Sequence, residues 1–128
     1  MKKVKIVRVS VPKNPIGYKV VLKDGQKLVS CSKSGLRVQY IGGKFAVPRT
    51  YGGPLTLFTN KYSAIGFIEK LAKFKDPELC RVYRAEFVPT ECVHVWRYRN
   101  GGLKAKSISE LPVNTVLARK VKLLDKVF

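Results

Sequence analysis

Acidic side chains are scarce in this chain relative to basic ones. Eight Asp and Glu stand against 26 Lys and Arg in 128 residues, a formal charge of +18. So one-sided a balance costs stability through self-repulsion, and a polyanionic partner is the commonest reason for a chain to carry it. The shortage also leaves no acidic pair at metal-binding spacing, which disfavours metal-dependent nuclease chemistry. Histidine occurs once, at His94, and cysteine three times, at Cys31, Cys80 and Cys92. With no C-x-x-C pair and one imidazole, a zinc site of the usual spacing is not assembled. An odd number of widely spaced cysteines predicts reduced thiols in a reducing compartment. No window approaches 18 apolar residues, so no membrane-crossing helix is predicted. The N-terminal MKKVKIVRV starts like a secretory signal, but Lys5 and Arg8 interrupt its apolar run. There is no G-x-x-x-x-G-K-[ST] phosphate loop. No cofactor and no metal is implied.

What the chain does have is a hydrophobic content of 45%, enough for a folded core. Its length suits one compact domain over residues 1–128. The positive charge is unevenly spread. Residues 1–60 carry 12 basic and 1 acidic side chain, residues 61–95 carry 6 and 5, and residues 96–128 carry 8 and 2. The middle of the chain is nearly neutral and the two ends hold the field.

That neutral middle contains the most strongly patterned stretch, Tyr51 to Phe74. Gly52-Gly53-Pro54 turns into an apolar strand, Leu55 to Phe58, and Thr59 or Asn60 can cap a helix. Ala64, Ile65, Ile68, Leu71 and Ala72 then form one stripe, which predicts a helix over about 61–74. Asp76-Pro77 supplies a stop, because the residue before proline is pushed out of the α region. Gly66, unfavourable inside a helix by roughly 1 kcal/mol against alanine, implies close backbone approach to a strand.

The remainder reads as strands. Residues 4–11, 17–23, 27–32, 36–40 and 45–47 precede the helix, and residues 80–88, 92–99, 103–108 and 115–124 follow it. Asp24-Gly25 and Asn100-Gly101-Gly102 mark two tight hairpins. Seven to nine strands around one main helix predict an α+β fold. We expect a mostly antiparallel curled sheet or partial barrel with the helix packed on it.

Candidate chemistry is concentrated where cations meet aromatics or glycines. Arg81-Val82-Tyr83-Arg84 and Trp96-Arg97-Tyr98-Arg99 interleave guanidinium groups with rings, as stacking and phosphate neutralisation require. Strand alternation puts His94, Trp96 and Tyr98 on one face and Val95, Arg97 and Arg99 on the other. The ordinary alternative is that Trp96 packs under the helix and Tyr98 reflects β-propensity; Arg97 and Arg99 then face outward. Gly42-Gly43-Lys44, Gly52-Gly53 and Gly101-Gly102 with Lys104 could form anion-binding nests, although turns explain them as well. Lys61 adds charge to the helix N-terminus. The expected nucleic-acid contacts are therefore Arg97, Arg99, Lys104, Lys106, Arg37, Lys44, Arg49, Arg81 and Lys61. An enzymatic reading would fall on Cys92 and His94, which share a strand face, with Glu86 and Glu91 near them in sequence.

These features predict a non-enzymatic nucleic-acid-binding protein that uses basic strands for phosphate contacts, with DNA and RNA undistinguished. The excess of lysine over arginine favours point-charge positioning over base readout. Size and terminal basic strands suit a phage or viral accessory protein, cytoplasmic or virion-associated. The alternative is a structural or interaction protein of a virion or large assembly, or an inhibitor of an acidic or RNA-bearing host complex. In that role, exposed strands would serve β-augmentation or oligomerisation.

Overall fold

The strand running from Ile16 to Asp24 (β1) is buried on both faces through its middle, and the architecture follows from that. In the computed structural model, residues 14–31, 37–48, 54–72, 76–99 and 102–128 are described. Further strands are β2 (Lys27–Val29), β3 (Gln39–Tyr40), β4 (Phe45–Ala46), β5 (Leu55–Phe58), β6 (Cys80–Pro89), β7 (His94–Arg99), β8 (Gly102–Ser107) and β9 (Thr115–Lys126). One α-helix, α1 (Lys61–Leu71), and two single 3₁₀ turns, Pro77–Leu79 and Ile108–Glu110, complete the described elements. The expected strand over 4–11 lies outside the described residues, as do Arg49, Gly52-Gly53 and the Asn100-Gly101 turn.

Seven strands form one antiparallel sheet, and within it β1, β5, β9 and β6 close on one another as a four-stranded barrel. The fold is therefore α+β, as the pattern predicts. Closure with so few strands demands small interior residues. Gly17, Ala85 and Ala118 meet that demand. A Cβ at Gly17 would sit 3.1 Å from the Phe58 carbonyl oxygen and 3.2 Å from the Phe87 ring. Val21, Leu57, Phe87, Val121 and Leu123 fill the remaining space. Burying each such side chain stabilises the fold by about 1.5–3 kcal/mol.

The other face of β1 presents Val20 and Leu22 outward beside Cys80 and Val82 of β6, and α1 covers them with Ala64 and Ile68. Asn60 caps the helix, its side chain accepting from the Ser63 N–H at 2.8 Å. Phe67 leans on Phe58 with ring centroids 5.3 Å apart. Two expectations need correction here. The helix ends at Leu71 rather than near 74, and Asp76 caps the following 3₁₀ turn instead of stopping the helix. Nothing lies within 4 Å of a Cβ built at Gly66, so no strand approaches closely there.

The predicted hairpins both form. Gly25 opens the β1–β2 turn at φ +61°, the arrangement in which glycine suits the first loop position. Among the described residues β7 and β8 pair only with each other and make a separate two-stranded sheet. Its base is fixed by Val95, which packs with Leu111 and Leu117 of β9.

Candidate nucleic-acid interface

Acids are few, and the described structure uses most of them locally. Asp125 pairs with Arg84 at 2.7 Å, and Asp24 lies 3.9 Å from Arg37. Glu86 is buried, accepts from the Asn14 side-chain amide at 2.9 Å and stands 4.0 Å from the Lys122 ammonium. Asp76 and Glu110 cap the two 3₁₀ turns. These contacts also engage several cations singled out by sequence. Arg37 is drawn to Asp24. Arg81 donates to the carbonyls of Glu78 and Cys80, tying the first 3₁₀ turn to β6. Tyr83 is partly buried against the barrel core and exposed Arg84 is paired with Asp125, so the ring and both guanidiniums of the Arg81 to Arg84 pattern already have partners. Lys61 lies beside the Tyr62 ring, 5.7 Å from its centroid, and Asn60 already fills the Ser63 N–H at that helix end.

The register of β7–β8 brings four expected contacts together. Arg97 lies opposite Lys104, Arg99 opposite Gly102, and Lys106 opposite Val95. All occupy one parity of the ladder, the parity whose base residue, Val95, is buried against β9.

A second cationic cluster escapes local sequence reading. Phe45 of β4 pairs with Lys122 of β9, and Ala46 pairs with Val121. Since Ala46 and Val121 enter the core, Phe45 and Lys122 belong to the outer wall, as does Lys120 two residues earlier. The ammonium groups of Lys120 and Lys122 sit 4.5 and 4.9 Å from the Phe45 ring centroid. Lys44, exposed, precedes the ring at the end of the Ile41–Lys44 turn, which Gly43 permits with φ +77°. Arg119 is exposed on the same strand. The signal in the sequence is Lys-Val-Lys at positions 120–122, the two-residue repeat that places both amines on one face. Leu117, which holds the hairpin base, precedes Lys120 by three residues, roughly 10 Å along a strand. The outer wall of β9 thus links the two clusters.

Elsewhere, Cys92 and His94 meet although β7 begins only at His94, with Sγ 3.6 Å from Nδ1; the thiol also donates to the His94 carbonyl at 3.4 Å. Lys19 projects into the barrel interior, where its ammonium donates to the Thr56 carbonyl at 2.6 Å and lies 5.7 Å from the Tyr40 ring centroid. Burial lowers its pKa to about 8, against a smaller opposing influence from Cys31. The Tyr40 hydroxyl is buried without a hydrogen-bond partner among the described residues, and burial, then Cys31, raises its pKa well above the ordinary phenol value.

Among the described residues no three metal-ligating side chains cluster, and no helix is long and apolar enough to cross a membrane. Comparison with protein-family models, with curated proteins and with solved structures finds no match for this chain.

Proposed function

We infer that this protein binds nucleic acid without acting on it chemically, through the cationic outer wall of β9 and β4 and the basic β7–β8 hairpin. The observation that carries the reading is the pairing of Phe45 with Lys122, which gathers Lys120 and Lys122 around one ring, next to exposed Lys44, with Glu86 the one acid paired there among the described residues. Lysine ammoniums are strongly hydrated point charges, suited to phosphate oxygens rather than to forked recognition of a base edge. The expected binding is strong at low salt and tolerant of sequence. A small basic protein of this kind suits an accessory role beside a viral or phage genome.

The test is fluorescence anisotropy with nuclease-treated protein across a salt series. Each neutralised phosphate contributes about −0.9 to the slope of log affinity against log salt for duplex, and about −0.7 for single strands. Five contacts give a slope near −4. Reversing Lys120 and Lys122 to glutamate should weaken binding at least tenfold and flatten the slope, whereas Lys70→Glu on the helix should change it less than twofold. Arg97→Glu separates binding from folding. It replaces a like-charged cross-strand pair with an opposite one, so the hairpin should gain roughly 0.2–1 kcal/mol while affinity falls. A shallow salt slope, or equal effects from the helix and β9 variants, would favour an assembly protein whose basic charge is general surface character.

A further inference from the structure

Phe45 occupies a position where the fold does not require an aromatic. Its strand neighbour Ala46 supplies the core contact, and the ring lies half-buried on the outer wall. Among the described residues β4 pairs with β9 alone, which leaves its other edge without a ladder partner. Val47, two residues after Phe45 and so on the same face, is 60% exposed, and Ile41 at the start of the preceding turn is 53% exposed. An apolar strip of this kind within a lysine cluster matches a ligand having flat apolar faces between anionic groups. We propose that Phe45 is a stacking seat for one base of a single-stranded nucleic acid, with Lys120 and Lys122 taking the flanking phosphates; this rests on the reading above.

The two ammonium groups over the ring define the unliganded state. Cation–π contacts at exposed sites are weaker than hydrogen bonds in which both partners are ionised, such as ammonium to phosphate. An arriving phosphate therefore draws a lysine off the ring and uncovers the face on which a base can stack. The lysines are two positions apart, about 7 Å along the strand. Glu86 holds Lys122 near its present place, while Lys120 has no ion pair among the described residues and is the one placed to move. In a duplex the bases are stacked on each other and offer no free face, so this seat distinguishes single strands.

The test compares a 20-nucleotide oligo-dT with a 20-base-pair duplex by anisotropy, for the wild type and for Phe45→Leu, Phe45→Trp and Lys120→Glu/Lys122→Glu. Leucine keeps an apolar side chain on the strand and removes the π-face, and matching thermal unfolding with the wild type checks the fold. The expected result is a loss of about ten- to a hundredfold on oligo-dT for Phe45→Leu, as removal of one base–aromatic stack gives. Duplex binding should change less than twofold, and Phe45→Trp should retain affinity. If Phe45→Leu weakens both ligands equally, or neither, while the lysine reversal weakens both, the seat is overturned and nucleic-acid binding stands. If the wild type binds neither ligand, that underlying reading fails, and the seat with it. Binding to phosphatidylserine vesicles that falls with Phe45→Leu, with oligo-dT binding unchanged, would assign the strip to a lipid surface and overturn the proposal.

Discussion

The barrel wall carries two outer surfaces on neighbouring strands, and they have opposite fates. Where β1 and β6 present Val20, Leu22, Cys80 and Val82, an apolar helix seals the wall. Where β9 and β4 present Lys120, Lys122 and Phe45, no helix among the described residues covers it. The backbone pairing is the same antiparallel ladder in both places. Side-chain alternation alone decides which stretch becomes core and which becomes a charged surface. Stability is thereby concentrated on the helix-covered side of the barrel.

The helix-covered side should be much less tolerant of substitution. Ile68→Ala leaves a cavity beneath α1 and should cost about 2–4 kcal/mol by urea denaturation. Lys120→Glu on β9, which leaves the Glu86–Lys122 pair intact, should cost far less; comparable losses would erase the distinction between the two walls.

The barrel interior gives a second contrast, because it holds a charge that neither wall neutralises. With its folded pKa near 8 against 10.5 for an ordinary lysine, Lys19 binds fewer protons in the folded state than in the unfolded state across that interval. Stability should therefore rise with pH from about 8 towards 10.5, by at most roughly 3 kcal/mol at 1.36 kcal/mol per pH unit. Tyr40 acts in the opposite direction above about pH 10, where the unfolded phenol ionises first. Lys19→Met should abolish the rise and stabilise the protein at pH 7, as replacing a buried charge by an apolar group of similar volume often does. Thermal unfolding of both proteins from pH 7 to 10 checks this; an unchanged pH profile in the variant would exclude Lys19 as the source.

The smallest effect concerns the helix itself. With open space around Gly66, Gly66→Ala should raise stability by about 1 kcal/mol. A loss instead would show that the groove bordered by Gly66, Phe67 and Val113 does not accommodate a methyl group.

Local signals in the sequence are reliable where local chemistry sets the structure. The apolar run Leu55 to Phe58, the Asn60 cap and the Gly25 hairpin form as their residues predict. Barrel closure is not legible in that way, because it depends on Gly17, Ala85 and Ala118 meeting across distant strands, and no periodicity marks them. The candidate site shows the same division. Lys120 and Lys122 alternate visibly, but only the β4–β9 register brings Phe45 to them. The Arg81 to Arg84 motif looks functional in one dimension and is absorbed by the Glu78 and Cys80 carbonyls and by Asp125 in three. Gly66 misleads because an open surface and a close contact both accept a glycine.

The position of β9 in the chain has a consequence for the order of assembly. β4, β5 and β6 all take β9 as a partner, and Phe58 of β5 pairs with Thr115, 57 residues later. Until that strand docks, the apolar Leu55–Phe58 segment has an unsatisfied edge, as does the long strand β6. Such edges are templates for pairing with other chains, and pairings so distant in sequence form slowly. The interval before β9 arrives is thus the period of greatest risk of aggregation. The charge of +18 acts throughout that interval, since mutual repulsion keeps unfinished chains apart before any partner is bound.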